Sequence, residues 1–150
     1  MWQAHQLART MEDGSHMPMR DGTAARREEL YHEAIELIAR DYARDLQLEG
    51  VARELATSRR QLQRAFAEVG NTSFRDELAK VRMHHARALL ATDGIPVRIV
   101  AASVGYHQPA QIAKSFRRHH GQAPSTYRKQ SRTGALHSVL PQPGQQAAAA

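Results

Sequence analysis

Two short segments with the same pattern lie on either side of one longer predicted helix, and this repeat limits the chain to few folds. Residues 51–57 and 100–106 each have the pattern of a short helix with an apolar face, ending in a tight turn on a small residue. In each copy a second helix follows, with an aliphatic and an aromatic residue four positions apart: Leu62 and Phe66, then Ile112 and Phe116. This pattern is typical of a helix-turn-helix unit, so we predict two such units in one chain.

The longer helix between the two units, residues 73–92, is predicted from its apolar spacing. A helix that turns about 100° per residue places five of its side chains on one side: Phe74, Leu78, Val81, His85 and Leu89. Ser73 followed by Asp76 is typical of a capped helix start. At about 1.5 Å per residue the helix is about 28 Å long, and we expect it to hold the two units apart.

The first unit contains a candidate DNA-reading helix at residues 59–69, which Ser58 is expected to cap. With Leu62 and Phe66 facing the core, the opposite face carries the following residues: Arg60, Gln63, Arg64 and Ala67. Arginine can donate two hydrogen bonds to guanine, and glutamine can pair with adenine, in the major groove. A solvated polar face would show the same pattern on a single helix, and it is the repeat that favours base recognition.

The second unit contains the other candidate reading helix, which begins at Gln108-Pro109. Its outward face is different in composition: Ala110, Ala113, Lys114 and Arg117, with Gln111 at the edge. Since alanine makes few hydrogen bonds, we expect this helix to depend more on phosphate contacts through Lys114, Arg117 and Arg118. Gln111 is the best base reader of this helix, and the alanine methyl groups can contact thymine.

We therefore predict an all-α fold of two helix-turn-helix units joined by a central spacer helix. A helix at residues 24–46 should precede the units, and a short helix from Pro124 should pack Tyr127 against the second unit. The predicted domain covers residues 26–130, with the units at about 48–69 and 97–120 and the spacer at 73–92. Residues 1–25, which contain a string often left by expression vectors, are expected to be a disordered arm or vector-derived, and 131–150 a disordered tail.

The positive charge of the chain begins where the first candidate reading helix begins. Residues 26–57 contain 5 basic and 8 acidic side chains, a balance of −3. Residues 58–130 contain 13 basic and 4 acidic side chains, a balance of +9. This distribution favours a polyanionic partner such as double-stranded DNA over a basic surface that serves solubility alone.

Other functional classes find little support in the composition. The absence of cysteine excludes disulfides and thiolate zinc sites, and fits a reducing cytoplasm. No apolar run approaches the roughly 18 residues of a membrane helix, so we expect a cytoplasmic protein without membrane contact. The histidine pairs 84–85 and 119–120 occupy adjacent helical positions, which point about 100° apart. We expect no metal, no cofactor and no enzymatic activity.

Residues from about 46 to 128 resemble the DNA-binding domain of the AraC/XylS family of bacterial transcription regulators. The resemblance rests on several motifs in the right order: residues 58–66, 81–83, 86–90, 100–106 and 116–118, Gly121, and the sequence Pro124-Ser125 to Tyr127-Arg128. Any one of these motifs would be weak, whereas the set is specific.

The resemblance implies a seven-helix domain that binds as a monomer to two successive major-groove segments, which are about 34 Å apart. It assigns base contacts to five residues: Arg60, Gln63, Arg64, Gln111 and Lys114. We expect contacts to the DNA backbone from five more: Ser58, Arg59, Arg82, Arg117 and Arg118. It also implies a promoter as the target and activation by contact with RNA polymerase.

Several alternatives remain open from the sequence. Many family members have Phe where this chain has Tyr106, a small hydroxyl residue where it has Ala110, and Phe where it has Ile112, which affects recognition by the second unit. Many members also carry a sensor domain, and nothing before Arg26 is long enough to be one, so the chain is either a small activator or the DNA-binding domain of a larger ligand-responsive regulator. A helical protein-interaction module would share the amphipathic helices.

Overall fold

The computed structural model describes residues 19–92 and 94–139, and within these ranges the protein consists of seven helices without a strand. The helices are α1 (Met19–Asp41), α2 (Leu48–Glu54), α3 (Arg59–Glu68), α4 (Phe74–Ala91), α5 (Val97–Ser103), α6 (Pro109–His120) and α7 (Pro124–Val139). The all-α prediction is confirmed. Helices α2 and α3 form the first helix-turn-helix unit, α5 and α6 form the second, and α4 is the spacer.

The ends of the helices show why the sequence folds locally as it does. The Ser58 hydroxyl accepts a hydrogen bond from the Gln61 amide at 3.1 Å, and the Ser73 hydroxyl accepts one from the Asp76 amide at 3.1 Å. These bonds satisfy amide groups that have no partner within the helix. Gly121 ends α6 with a φ of 72°, a left-handed conformation that glycine adopts without a steric penalty. The predicted caps of α3 and α4 are thus confirmed.

Two separate hydrophobic cores lie along the spacer. The first is formed by α1, α2, α3 and the beginning of α4, and it contains Leu62 and Phe66. The second is formed by the end of α4 with α5 and α6, and it contains Ile112 and Phe116. Tyr127 of α7 packs against the second core, as the sequence predicts. Each helix-turn-helix unit is therefore fixed to its own part of the spacer.

The single apolar stripe predicted for the spacer is only partly correct. Phe74 and Leu78 are buried in the first core, whereas the second core takes Met83, Ala86 and Leu90 from the other half of α4. At about 100° per residue, Leu78 and Met83 point about 140° apart. Val81, His85 and Leu89 are half-buried. The spacer has two apolar faces because the units pack on different sides of it.

The bounds of the first and last helices differ from those predicted, whereas the bounds of the domain stay a prediction. Helix α1 begins at Met19 and ends at Asp41, whereas we expected a helix at 24–46. It therefore includes the last part of the expected arm 1–25, and residues 1–18 lie outside the described residues. Helix α7 continues to Val139, whereas a disordered tail was expected from Ser131. Once a helix has started, each further residue adds one hydrogen bond, and helices can extend beyond their packed turns. Residues 140–150 lie outside the described part.

Candidate nucleic-acid interface

Helix α3 presents the first group of candidate DNA contacts. Leu62 and Phe66 are buried, at 0% and 1% exposure, and this fixes the rotation of the helix. Arg60, Gln63 and Arg64 are exposed on the other side. Arg59 and Ser58 are exposed at the amino end, where the Ser58 oxygen caps the helix and its hydroxyl proton can still be donated. The structure thus brings all five sequence-predicted residues of this unit to one end and face of α3.

Helix α6 presents the second group in the same way. Pro109 is its first residue, and Gln108 before it is extended. With Ile112 and Phe116 both fully buried, four candidate contacts are exposed: Gln111, Lys114, Arg117 and Arg118. Ala110 is exposed, whereas Ala113, which we expected on the outward face, is half-buried. The outer face of α6 is thus less apolar than the sequence suggested.

Most of these cationic and amide side chains have no partner within the protein. In residues 19–92 and 94–139 the structure gives no hydrogen bond or ion pair to the side chains of Arg59, Arg60, Gln63, Arg64, Gln111, Lys114 and Arg117. Their donors are therefore available to an external acceptor. Two matching rows of unpaired donors, one on each reading helix, are the main chemical feature of this surface.

Arg118 differs from its neighbours because it has a counter-ion. Its Nη2 atom lies 3.5 Å from Oδ1 of Asp76, a residue of the spacer's first turn. Both side chains are at least half exposed, and exposed pairs of this kind contribute little to stability. A phosphate could therefore replace Asp76 as the partner of Arg118. No local sequence pattern predicts this pair, because its members are 42 positions apart.

Arg82, unlike these residues, has several partners within the fold. Its Nε donates to the Tyr42 carbonyl at 2.8 Å, its Nη2 donates to the Arg44 carbonyl at 2.9 Å, and its guanidinium carbon lies 5.3 Å from the centre of the Tyr106 ring. Partial burial lowers the pKa of Arg82, and the nearby Tyr106 opposes this effect. Two of the five N–H donors of Arg82 are used inside the fold, so we give it a structural role below, and its contact with the DNA backbone stays an untested expectation.

Acidic side chains near the first unit are paired with arginines of α1. Glu68, at the end of α3, lies 2.6 Å from Arg27, and Glu54, at the end of α2, lies 3.1 Å from Arg40. Arg40 also binds Asp41, and this hydrogen bond lowers the pKa of the Asp41 carboxyl. The pairs reduce the negative charge close to α3, which favours the approach of a polyanion.

One histidine lies beside the basic residues of α6. Burial lowers the pKa of His119, and the neighbouring charge of Arg118 lowers it further, while Asp76 acts in the opposite direction. The ring is therefore less readily charged than a free histidine.

No cluster of three metal-ligating side chains occurs among the residues that the structure describes, and no helix in that part of the chain is long and apolar enough to span a membrane.

Comparison with known proteins assigns this arrangement to a family. The helix-turn-helix domain family matches residues 51–130, more than half of the chain. A transcriptional regulator from Chromobacterium violaceum, described as containing an AraC-type DNA-binding domain, has the same fold. It is 23% identical with a TM-score of 0.64, and the match covers 71% of this chain and 96% of that one. The chain belongs to the AraC-type helix-turn-helix family.

Two further relatives of this AraC-type chain are informative. The HTH-type transcriptional regulator GlxA of Rhizobium meliloti (strain 1021) is 32% identical over 114 residues, which cover 73% of this chain and 35% of GlxA. The DNA-binding domain of AdpA, a global transcriptional factor, was solved in complex with a target DNA. It is 25% identical with a TM-score of 0.66, and the match covers 71% of this chain and 96% of that domain. The chain spans about a third of the length of the curated relatives it matches.

The family is one of DNA-binding transcription regulators, and this chain contains the DNA-binding domain of AraC type. The resemblance deduced from the sequence motifs is thus confirmed. The individual base and phosphate contacts remain predictions.

Proposed function

We propose that this chain binds double-stranded DNA in a sequence-specific manner and regulates transcription, with α3 and α6 in two successive major-groove segments. The observation that supports this most directly is the pair of exposed, unpaired donor rows on two helices of an AraC-type domain. The spacer α4 has 18 residues, which at about 1.5 Å per residue make it about 27 Å long. This length is compatible with helices that enter grooves about 34 Å apart.

In the first groove segment, Arg60, Gln63 and Arg64 contact base edges. The arginines bind guanine through O6 and N7, and the glutamine binds adenine through N6 and N7. Ser58 and Arg59, at the amino end of α3, bind phosphates. An α-helix amino end suits this role because its free amide groups and its dipole favour anions.

In the second groove segment, Gln111 and Lys114 contact bases while Arg117 and Arg118 contact phosphates. Phosphate contacts position a protein on the duplex without reading its sequence. Because α6 has fewer base-reading side chains than α3, the second block of the target should be less specific than the first. The domain binds as a monomer, since the two units already supply two reading helices.

A promoter is the proposed target, and activation by contact with RNA polymerase is the proposed outcome. Activation follows from the resemblance to the AraC/XylS family rather than from any surface of this chain. AdpA, whose related domain was crystallised with a target DNA, supports the duplex as ligand. A DNA target also places the proposed activity in the bacterial cytoplasm, and no catalytic step or cofactor is part of it.

A second possibility is that the chain is the DNA-binding part of a longer, ligand-responsive regulator. The short coverage of its relatives, 35% of GlxA, favours this possibility. Both versions use the same DNA-binding surface. They would differ in whether a small molecule alters DNA binding by the full-length protein.

Salt dependence tests the proposal against a helical protein-interaction module. Each neutralised phosphate contributes a slope of about −0.9 to the plot of log Kobs against log salt concentration. Arg59, Arg117 and Arg118 should together give a slope of about −3 or steeper between about 50 and 200 mM salt. Binding to duplexes of random sequence should show this slope, measured by fluorescence anisotropy. A slope near zero, or no binding at all, would contradict the proposal.

A further inference from the structure

The two helix-turn-helix units have separate cores. Besides the spacer α4 itself, one small region connects them. Among the described residues, Tyr42 is the side chain that packs against both cores. It belongs to the segment that follows α1. Its ring stacks on the ring of His85 from the spacer, with centres 4.0 Å apart and planes 3° from parallel. The end of α1 therefore reaches across from the first unit to the second.

Arg82 holds this region together. Its two hydrogen bonds tie the spacer to the carbonyls of Tyr42 and Arg44, and its guanidinium lies over the ring of Tyr106, just after the turn of the second unit. One side chain thus joins three segments of the protein. We call this region the junction: Tyr42, Arg44, Arg82, His85, Gly105 and Tyr106.

Arg82 lies between the two apolar faces of the spacer. The two apolar faces of α4 are centred roughly 150° apart, and Arg82 lies near the midpoint between them at about 100° per residue. A rotation of the second unit about the spacer would move Tyr106 relative to Tyr42 and Arg44. Because the guanidinium is planar with donors at fixed angles, it can keep all three contacts only in a narrow range of rotation.

The turn of the second unit approaches the end of α1 very closely. Gly105 has a φ of 85°, and a Cβ atom there would lie 2.9 Å from the Ala43 carbonyl oxygen and 2.8 Å from a guanidinium nitrogen of Arg82. The backbones meet at this point with no space for a side chain. The Tyr106 hydroxyl donates to the Ser115 hydroxyl at 3.0 Å, which links the junction to α6 itself.

We propose that Arg82 is a positioning residue: it fixes the rotation of the second unit relative to the first, and so sets the spacing between the two base blocks that the protein accepts. The proposal rests on the proposed function, because spacing has meaning only for a protein that reads two blocks. One additional base pair moves the second block by about 3.4 Å and rotates it by about 34°. A rigid junction should make such a change costly.

Arg82→Lys separates this role from a direct phosphate contact. Lysine keeps the positive charge, and so would preserve a phosphate contact, but it cannot bridge two carbonyls and stack on Tyr106 in the same way. Arg75→Lys is the matched control, since Arg75 is exposed on the same helix and the described residues give it no partner. Circular dichroism should first establish that each variant is folded. Should Arg82→Lys unfold, His85→Ala loosens the junction by removing the ring stacked on Tyr42.

The first measurement needs no DNA. The chain has no cysteine, so Ala67→Cys and Ala110→Cys, on the exposed faces of α3 and α6, allow two spin labels to be placed. Double electron–electron resonance should give a narrow distance distribution for the otherwise wild-type chain and for Arg75→Lys. Arg82→Lys should broaden or shift it. An unchanged distribution in Arg82→Lys would overturn the proposal.

The second measurement uses a duplex with two base blocks, enriched from a random pool by the wild-type chain. One base pair inserted between the blocks should weaken wild-type and Arg75→Lys binding by about tenfold or more, but Arg82→Lys binding by about threefold or less. An unchanged spacing penalty in Arg82→Lys would overturn the inference while leaving the proposed function intact. A single enriched block would overturn the inference alone, because it leaves no spacing to set, and no enrichment by the wild type would overturn both the proposed function and the inference.

Discussion

Arg64 is the side chain on which base recognition by the first unit should depend most. It is exposed at the centre of the outer face of α3 and has no partner among the described residues. Arg64→Ala should weaken binding to the preferred duplex by about 1–3 kcal/mol and relax selectivity at one base pair. Binding constants for duplexes that carry each base at each position would measure both effects. An equal loss on preferred and random DNA would remove Arg64 from the base-reading set.

Arg117 should behave differently, because we assign it to a phosphate. Arg117→Ala is expected to weaken binding to all sequences by a similar factor and to reduce the salt slope by about 0.9. Anisotropy titrations at several salt concentrations, on both preferred and random duplexes, would measure this. A change in base preference without a change in slope would mean that Arg117 reads a base.

The candidate contacts could be predicted from the sequence because they follow from helix periodicity. Once Leu62 and Phe66 are assigned to the core, the positions of Arg60 and Arg64 on the outside are fixed by about 100° per residue. Arg82 could not be assigned in this way. Its partners are 38 and 40 positions away, and an arginine that binds backbone carbonyls has the same sequence pattern as one that faces solvent.

The cap of α3 leads to a prediction about the stability of the protein. Ser58→Ala removes the hydroxyl that accepts from the Gln61 amide and should lower the free energy of unfolding by about 1 kcal/mol. Ser103→Ala, at an exposed position with no partner in the described ranges, should change it by less than about 0.5 kcal/mol. Urea denaturation without DNA would measure both values. Equal effects of the two substitutions would show that the cap contributes nothing.

Helix starts and cores were easier to predict than helix ends. The Ser58 and Ser73 caps have local side-chain signals, and the structure confirms them. The continuation of α7 to Val139 has no comparable local signal in the sequence. The apolar residues of the spacer were harder to predict. The sequence was interpreted as one apolar stripe, but a helix that packs on two units needs two apolar faces. Only the tertiary arrangement shows which residues form each face.

The internal repeat made the fold predictable. Two copies of one unit, each too small to bury its apolar face alone, need a common element to pack against, and α4 provides it. The charge divides at a different point, within the first unit: residues 26–57, which include most of α1 and all of α2, are net acidic, and residues 58–130, which include both reading helices, are net basic. We therefore expect the protein to bind a duplex through the side that carries α3 and α6.

Selection of duplexes from a random pool by the wild-type chain, at about physiological salt, would show whether one chain reads two groove segments. We predict two short enriched blocks, about one helical turn of 10–10.5 base pairs apart, without a palindrome, because one chain supplies both reading helices. The first block should be the more strongly defined, since α3 carries more base-reading side chains than α6. A palindromic site, which indicates two copies of the chain, or no enrichment at all, would contradict the account.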